Sequence, residues 1–197
     1  MEKTFDIFSG LRVGFALCGS YCTFGRVLPQ AARLVTLGCD LYPIMSESAS
    51  RTDTRFGTAR SFFDELERIA GRSPMASIAE TEPIGPRALL DVLVVAPCTG
   101  NTLSKLTHGI TDTSVTMACK AQLRNGRPVV LAVSSNDGLG AGAVNIGTLL
   151  SRKHIYFVPY GQDDPYNKSC SLVACMELIP DAIAEAMNGK QMQPILV

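Results

Sequence analysis

Short runs of consecutive apolar residues recur along the chain, and each gives way on its carboxyl side to small or polar residues. Five such runs stand out: residues 11–18 (LRVGFALC), 39–45 (CDLYPIM), 92–96 (VLVVA), 128–133 (PVVLAV) and 155–158 (IYFV). Unbroken apolar character, as opposed to alternation, suits strands buried on both faces of a parallel sheet. Between the runs lie stretches with helical spacing. One covers about residues 23–37 and stops at Gly38; another carries Phe62, Phe63, Leu66, Ile69 and Ala70 on one face and closes at Gly71. Others are LSKLTHGI, a second stretch after Asp112, residues 144–152, and a last helix over 172–187 ended by Asn188 and Gly189. Alternating strands and helices predict an α/β fold, a doubly wound parallel sheet in a single three-layer domain spanning 1–197.

The punctuation refines this outline. Pro97 is expected to stop the third strand, Pro29 to kink the first helix or delay its start, and Pro43 to mark an edge position or a bulge. Residues 46–58 (SESASRTDTRFGT) are rich in hydroxyls and carry Arg51 and Arg55, so they read as a functional loop or a solvated surface loop. Residues 73–86 hold three prolines and read as a covering loop with a short extended piece at 76–79. SSNDGLGAGA, residues 134–143, reads as a lid or as a Gly-rich turn before the next helix. Pro159, Gly161 and Pro165 place a loop after the fifth strand, and the apolar tail KQMQPILV is expected to dock on the body or on a neighbouring subunit.

Composition narrows the function classes. With 46% hydrophobic residues and 197 positions the chain can bury one substantial core. Eighteen basic side chains balance eighteen acidic ones, so nothing draws the protein to nucleic acid or to an anionic membrane. No run of about 18 apolar residues offers a membrane span. The start, MEKTFDIFSG, lacks the pattern of a secretory leader, so the expected location is cytoplasmic. Seven cysteines, an odd number, and only two histidines show no CxxC pair and no ligand spacing, so no metal site is expected and the buried cysteines read as small hydrophobes.

In an open α/β sheet the ligand lies beyond the carboxyl ends of the strands, where unpaired backbone N–H groups at helix starts favour an anion. Four segments fall on that rim: Gly19 and Ser20, then Ser46, then Pro97, Thr99, Gly100, Asn101 and Thr102, and finally Ser134, Ser135 and Asn136. Gly19 lets a backbone come close and Ser20 adds a hydroxyl. The spacing Gly14, Gly19, Gly25 is not G-x-G-x-x-G, so a nicotinamide-dinucleotide fingerprint is missing from this turn.

APCTGNTLSKLTHGITD resembles the signature of the homo-oligomeric flavin-containing Cys-decarboxylase superfamily, which includes phosphopantothenoylcysteine decarboxylases and flavin prenyltransferases. That resemblance implies a Rossmann-like fold, trimers or dodecamers, and FMN at subunit interfaces. The Gly19-Ser20 turn and Ser46 match positions that meet FMN in that superfamily, and the loop from Ser134 would then face the flavin. Two positions depart from it. No histidine occupies the loop after the second strand, which argues against oxidative decarboxylation of a cysteine, and Gly100 stands where Ala is common.

Over about 180 residues GFALCGSYCTF, TRFG, PIGP, TDTSVTMACKAQLRNGRPVVLAVSSNDGLG and KHIYFVPYGQDDP resemble, in order and spacing, the family of dipicolinate synthase B subunits of spore-forming bacteria. The resemblance implies a part in oxidising dihydrodipicolinate to dipicolinate, a branch from lysine and diaminopimelate biosynthesis, in the mother cell during sporulation. The partner is an A subunit with its own dinucleotide-binding fold, carrying NADP, and the substrate is a small dicarboxylate. Such a reaction needs a hydride acceptor, a base and groups that hold two carboxylates. Arg51 or Arg55 is the candidate clamp for a carboxylate, and Asp137 is a candidate base or a turn former. An accessory, non-catalytic subunit and an FMN-dependent decarboxylase or prenyltransferase are the competing readings.

Overall fold

The computed structural model describes residues 6–197; the start of the chain, read above for a leader, lies outside them at residues 1–5. Strand β1 (Arg12–Leu17) leads through a 3-10 turn into α1 (Phe24–Thr36), and β2 (Asp40–Met45) into a short α2 (Glu47–Arg51) and then α3 (Ala59–Ala70). After the one-turn α4 (Ile78–Thr81) come β3 (Val92–Cys98), α5 (Gly100–His108) and α6 (Ser114–Arg124). The remainder is β4 (Val129–Ser135), α7 (Ala143–Leu150), β5 (Ile155–Phe157), β6 (Tyr160–Gly161), β7 (Leu172–Ala174) and α8 (Ile179–Met187).

The sheet runs β2-β1-β3-β4, with β5 parallel to the first half of β4. This is the expected doubly wound arrangement, and all seven residues of β3 are buried. Helices α1 and α8 pack together on one face with α3 beside α1, while α5, α6 and α7 form the other layer. The chain leaves β1 for β2 on one side, whereas β3 lies on the other. Connections therefore diverge between the ends of β1 and β3 and open a crevice there.

Local chemistry explains the elements. Thr58 caps α3 by accepting the Ser61 N–H at 3.1 Å, and Gly71 ends it at φ +67°, a left-handed conformation open to glycine. Phe62 then meets Phe24 of α1 edge-on at 4.8 Å, which seats α3 on the core. Pro43 lies in the edge strand β2, as its missing N–H requires, and Met75 bonds to its carbonyl and to the Met45 N–H.

Several expectations need correction. Pro97 does not end the third strand: β3 continues to Cys98 with a shift in register after Val95, and the Pro97 carbonyl accepts the Cys18 N–H at 3.3 Å. Helix α1 runs unbroken across Pro29, and the carbonyl thereby left without its donor belongs to Gly25. The loop at 46–58 begins with α2, which Ser46 caps. The extended piece expected at 76–79 is cut short: Met75 bridges Ile44 and Ser77 is extended at φ −135°, ψ 160°, but α4 begins at Ile78. Ser134 and Ser135 still belong to β4. The expected last helix over 172–187 is in fact β7, a 3-10 turn and α8, because Leu172 and Val173 pair antiparallel with Ser135 and Ser134. The tail does dock: residues 195–197 bond to Tyr160 of β6.

Candidate functional site

At the carboxyl ends of β1, β3 and β4 lies an open cleft of about 1410 Å³. Gly19 and Ser20 enter it from β1, Thr99, Gly100 and Asn101 from the start of α5, and Ser134, Ser135, Asn136 and Asp137 from the end of β4. Segments far apart in sequence are thus brought to one rim by sheet order. The Ser20 and Ser134 hydroxyls lie 2.7 Å apart, so the β1 and β4 turns are joined directly across the mouth of β3.

The start of α5 carries free donors. Thr99 caps the helix by accepting the Thr102 N–H at 3.3 Å, which leaves the Gly100 and Asn101 N–H groups without acceptors among the described residues. A Cβ on Gly100 would stand 2.9 Å from the Ser135 Oγ, so the small residue keeps this wall of the crevice open. Asn101 is exposed toward solvent, and its side chain is likewise unengaged.

Three residues expected to touch a ligand stand behind the wall. Ser46 is buried, and its Oγ accepts the Ala49 N–H at 3.2 Å as the cap of α2. Thr102 is buried and donates to the Cys18 Sγ at 3.2 Å, and Pro97 is buried within β3. They shape the crevice without lining it. Arg55 lines the cleft, exposed and stacked 4.9 Å from the Phe56 ring centroid, while Arg51 does not line it. Asp137 lines the cleft too, but its Oδ1 accepts the Ala141 N–H at 3.2 Å and its carbonyl accepts from Gly140 and Gly142. Turn-building leaves its Oδ2 without a partner among the described residues.

Beneath the crevice three thiols are buried together. Burial pushes the Cys18 thiol up to about 11 and raises those of Cys98 and Cys119 as well, so all three stay protonated and act as small hydrophobes. Among the described residues no group of three potential ligands is placed to hold a metal.

Other lining residues carried no local signal. Arg26 comes from α1, where it is paired with Glu177 at 3.1 Å, and Asn145 comes from α7. The segment between β6 and β7, an arm beside the cleft, lines it at Asp163 and at residues 167–171. In it Lys168 pairs with Asp163 at 3.1 Å, and hydrogen bonding, first from Ser171 and then from Lys168, holds the Asp163 carboxyl below its usual range. Arg26, Arg55 and Lys168 thus share the lining with Asp137, Asp163 and a set of hydroxyls and amides, and of the three cations only Arg55 has no ion-pair partner among the described residues. Free helix-start N–H groups, a hydroxyl pair and a glycine-kept gap suit a planar ligand bearing a phosphate.

Comparison with known proteins agrees with this geometry. A family profile described as Flavoprotein matches residues 7–172. The chain is 46% identical over 188 residues to the dipicolinate synthase B subunit of Bacillus subtilis (strain 168), covering 95% of this chain and 94% of that one. The crystal structure of the dipicolinate synthase B subunit from Bacillus halodurans C superposes with a TM-score of 0.89 at 45% identity, over 96% of this chain and 97% of that one. Burkholderia xenovorans DmrB, solved with FMN and described as a cubic protein cage for redox transfer, shares the fold at a TM-score of 0.67 and 17% identity, over 90% and 96% of the two chains.

Proposed function

This chain belongs to the Flavoprotein family, among the dipicolinate synthase B subunits, and from that membership we propose that it binds FMN in the cleft and takes part in oxidising dihydrodipicolinate to dipicolinate. Its partner in this reading is an A subunit that carries the nicotinamide cofactor, NADP, for which this chain has no fingerprint. The setting is the cytoplasm of a sporulating mother cell, and copies of the chain associate, as the cage built by its structural relative suggests.

The observation that carries the reading is the convergence of Gly19-Ser20, Thr99 to Asn101 and Ser134 to Asp137 on one cleft at the switch point of the sheet. FMN, when bound, supplies the two-electron acceptor that aromatising a dihydropyridine requires. The residues of this chain bind, orient and exclude water. Ser20, Ser134 and the Gly100 and Asn101 N–H groups hold the cofactor, and Arg55 clamps one substrate carboxylate. Asp137 takes the proton that leaves with the hydride, at Oδ2, because its Oδ1 is already engaged. The arm between β6 and β7, beside the cleft, limits solvent there.

Titrating the purified protein with FMN is expected to perturb the flavin absorbance spectrum at micromolar protein; an unchanged spectrum counts against cofactor binding. Assaying the A and B chains alone and mixed then separates roles. Turnover restored only by mixing supports a working role for the B chain, whereas full turnover by the A chain alone makes this chain accessory.

A further inference from the structure

Asn145, in the first turn of α7, lines the cleft and is 8% exposed. Its backbone carbonyl is met by the Thr107 hydroxyl at 3.4 Å, which ties α7 to α5, but its side-chain amide makes no hydrogen bond among the described residues. The amide atoms themselves reach the open cleft and are not among the buried atoms left without a partner, so they are free to meet a ligand there. Its neighbours in this lobe are polar too, though Asn101 and Asn136 are exposed and Ser104 half-buried. Asn101 and Ser104 of α5 and Asn136 after β4 line the cleft, and none of their side chains has a hydrogen-bond partner among the described residues.

The lobe between α5 and α7 is therefore polar and unpartnered, yet it carries no formal charge of its own. Asp137, the acid next in the chain, is held by its own loop through Ala141. The cations of the cleft, Arg26, Arg55 and Lys168, belong to α1, the α2–α3 connection and the arm. An ionised substrate carboxylate is better served there, because charge-assisted bonds are the stronger ones. What uncharged amides and hydroxyls recognise well is a neutral ring edge that alternates carbonyl and N–H groups. An asparagine amide matches such an edge with two bonds at once, its Oδ1 accepting from the ring N–H and its Nδ2 donating to the adjacent carbonyl.

We propose that Asn145 reads the uracil-like edge of the bound flavin, the carbonyl–N3–H–carbonyl side of the ring, and so fixes which way the ring lies in the cleft. The proposal rests on the FMN reading above and deepens it. With the ring edge in the uncharged lobe, Arg55, the cleft cation without an ion-pair partner among the described residues, is left for the anionic substrate. Asn145 is then a cofactor-orienting residue, and replacing it removes recognition of that edge without touching the phosphate contacts.

The test compares FMN with its N3-methyl analogue, which keeps the phosphate and the ring but loses the edge donor. Wild-type protein is expected to bind FMN about tenfold or more tightly than the analogue, by fluorescence titration. Asn145→Leu is expected to weaken FMN about tenfold and the analogue by less than about twofold, so that discrimination vanishes. Equal affinity of the wild type for the two flavins overturns the assignment, and that measurement needs no variant to fold. Discrimination that survives in a folded Asn145→Leu protein overturns it as well. Failure of the wild type to bind either flavin overturns the FMN reading itself, and the two failures are thus told apart.

Discussion

The two ends of the sheet are built on opposite terms. At the amino end of the strands the charges find partners: Arg12 clamps Asp91 through Nε and Nη2, at 3.0 and 2.5 Å, and also donates to the Ala88 carbonyl. Arg127 reaches the same carboxylate at 3.7 Å and the carbonyls of Ala88 and Leu90. Nearby, Arg72 pairs with Asp40 and lies 4.0 Å from the Tyr42 ring centroid. At the carboxyl end the polar groups are mostly uncharged, and many have no partner among the described residues. An end that satisfies itself stabilises the fold; an end left unsatisfied is available to a ligand.

Breaking the satisfied end should give the largest effect on stability. Asp91→Ala strands two arginines that are only about a third exposed, and is expected to cost about 1–3 kcal/mol once solvent screening is allowed for. In a chain of this length that lowers Tm by roughly 3–9 °C, measurable by calorimetry, with FMN affinity unchanged. The effect has a pH signature. The side-chain hydrogen bond from Arg12 is the main cause that holds the Asp91 carboxyl below its usual range. A carboxyl whose folded pKa is depressed contributes fully above its unfolded value near ~4, and the contribution drains as pH falls through the folded value. Asp91→Asn should accordingly flatten the acid limb of the stability curve.

Changes at the open end should do the reverse. Asn101→Ala is expected to weaken FMN about tenfold, equivalent to about 1.4 kcal/mol, while the Tm of the free protein stays within about a degree. A drop in Tm like that of Asp91→Ala would erase the contrast between the two ends. The smallest effect is expected for the pair Arg26–Glu177, whose side chains are 49% and 58% exposed. Arg26→Ala should change unfolding free energy by less than about 0.5 kcal/mol in denaturant titration, since an exposed ion pair adds little.

What the sequence disclosed follows the same division. Buried parallel strands announce themselves as unbroken apolar runs, and β3 and β4 were legible for that reason. Strands of two or three residues, such as β6 and β7, are too short to show any period, and the apolar positions at 172 and 173 blended into the helical spacing that follows. Turn residues at strand ends marked Gly19-Ser20 and Thr99 to Asn101, which line the cleft. The same signal misplaced Ser46, because a serine that caps a helix and a serine that meets a ligand share one local sequence. Arg26, Asn145 and Lys168 reach the cleft from helix faces or from the arm, where only the packing of layers reveals them.

The outer strands β2 and β6 at the two ends of the main strand order are blunted. Met75 occupies part of the outer side of β2, where Pro43 has no N–H to offer, and residues 195–197 lie along β6. Strand-to-strand joining, the route by which exposed sheets recruit their own kind into fibres, has little purchase on such borders. Under the association of copies proposed above, contact falls instead to helices and loops.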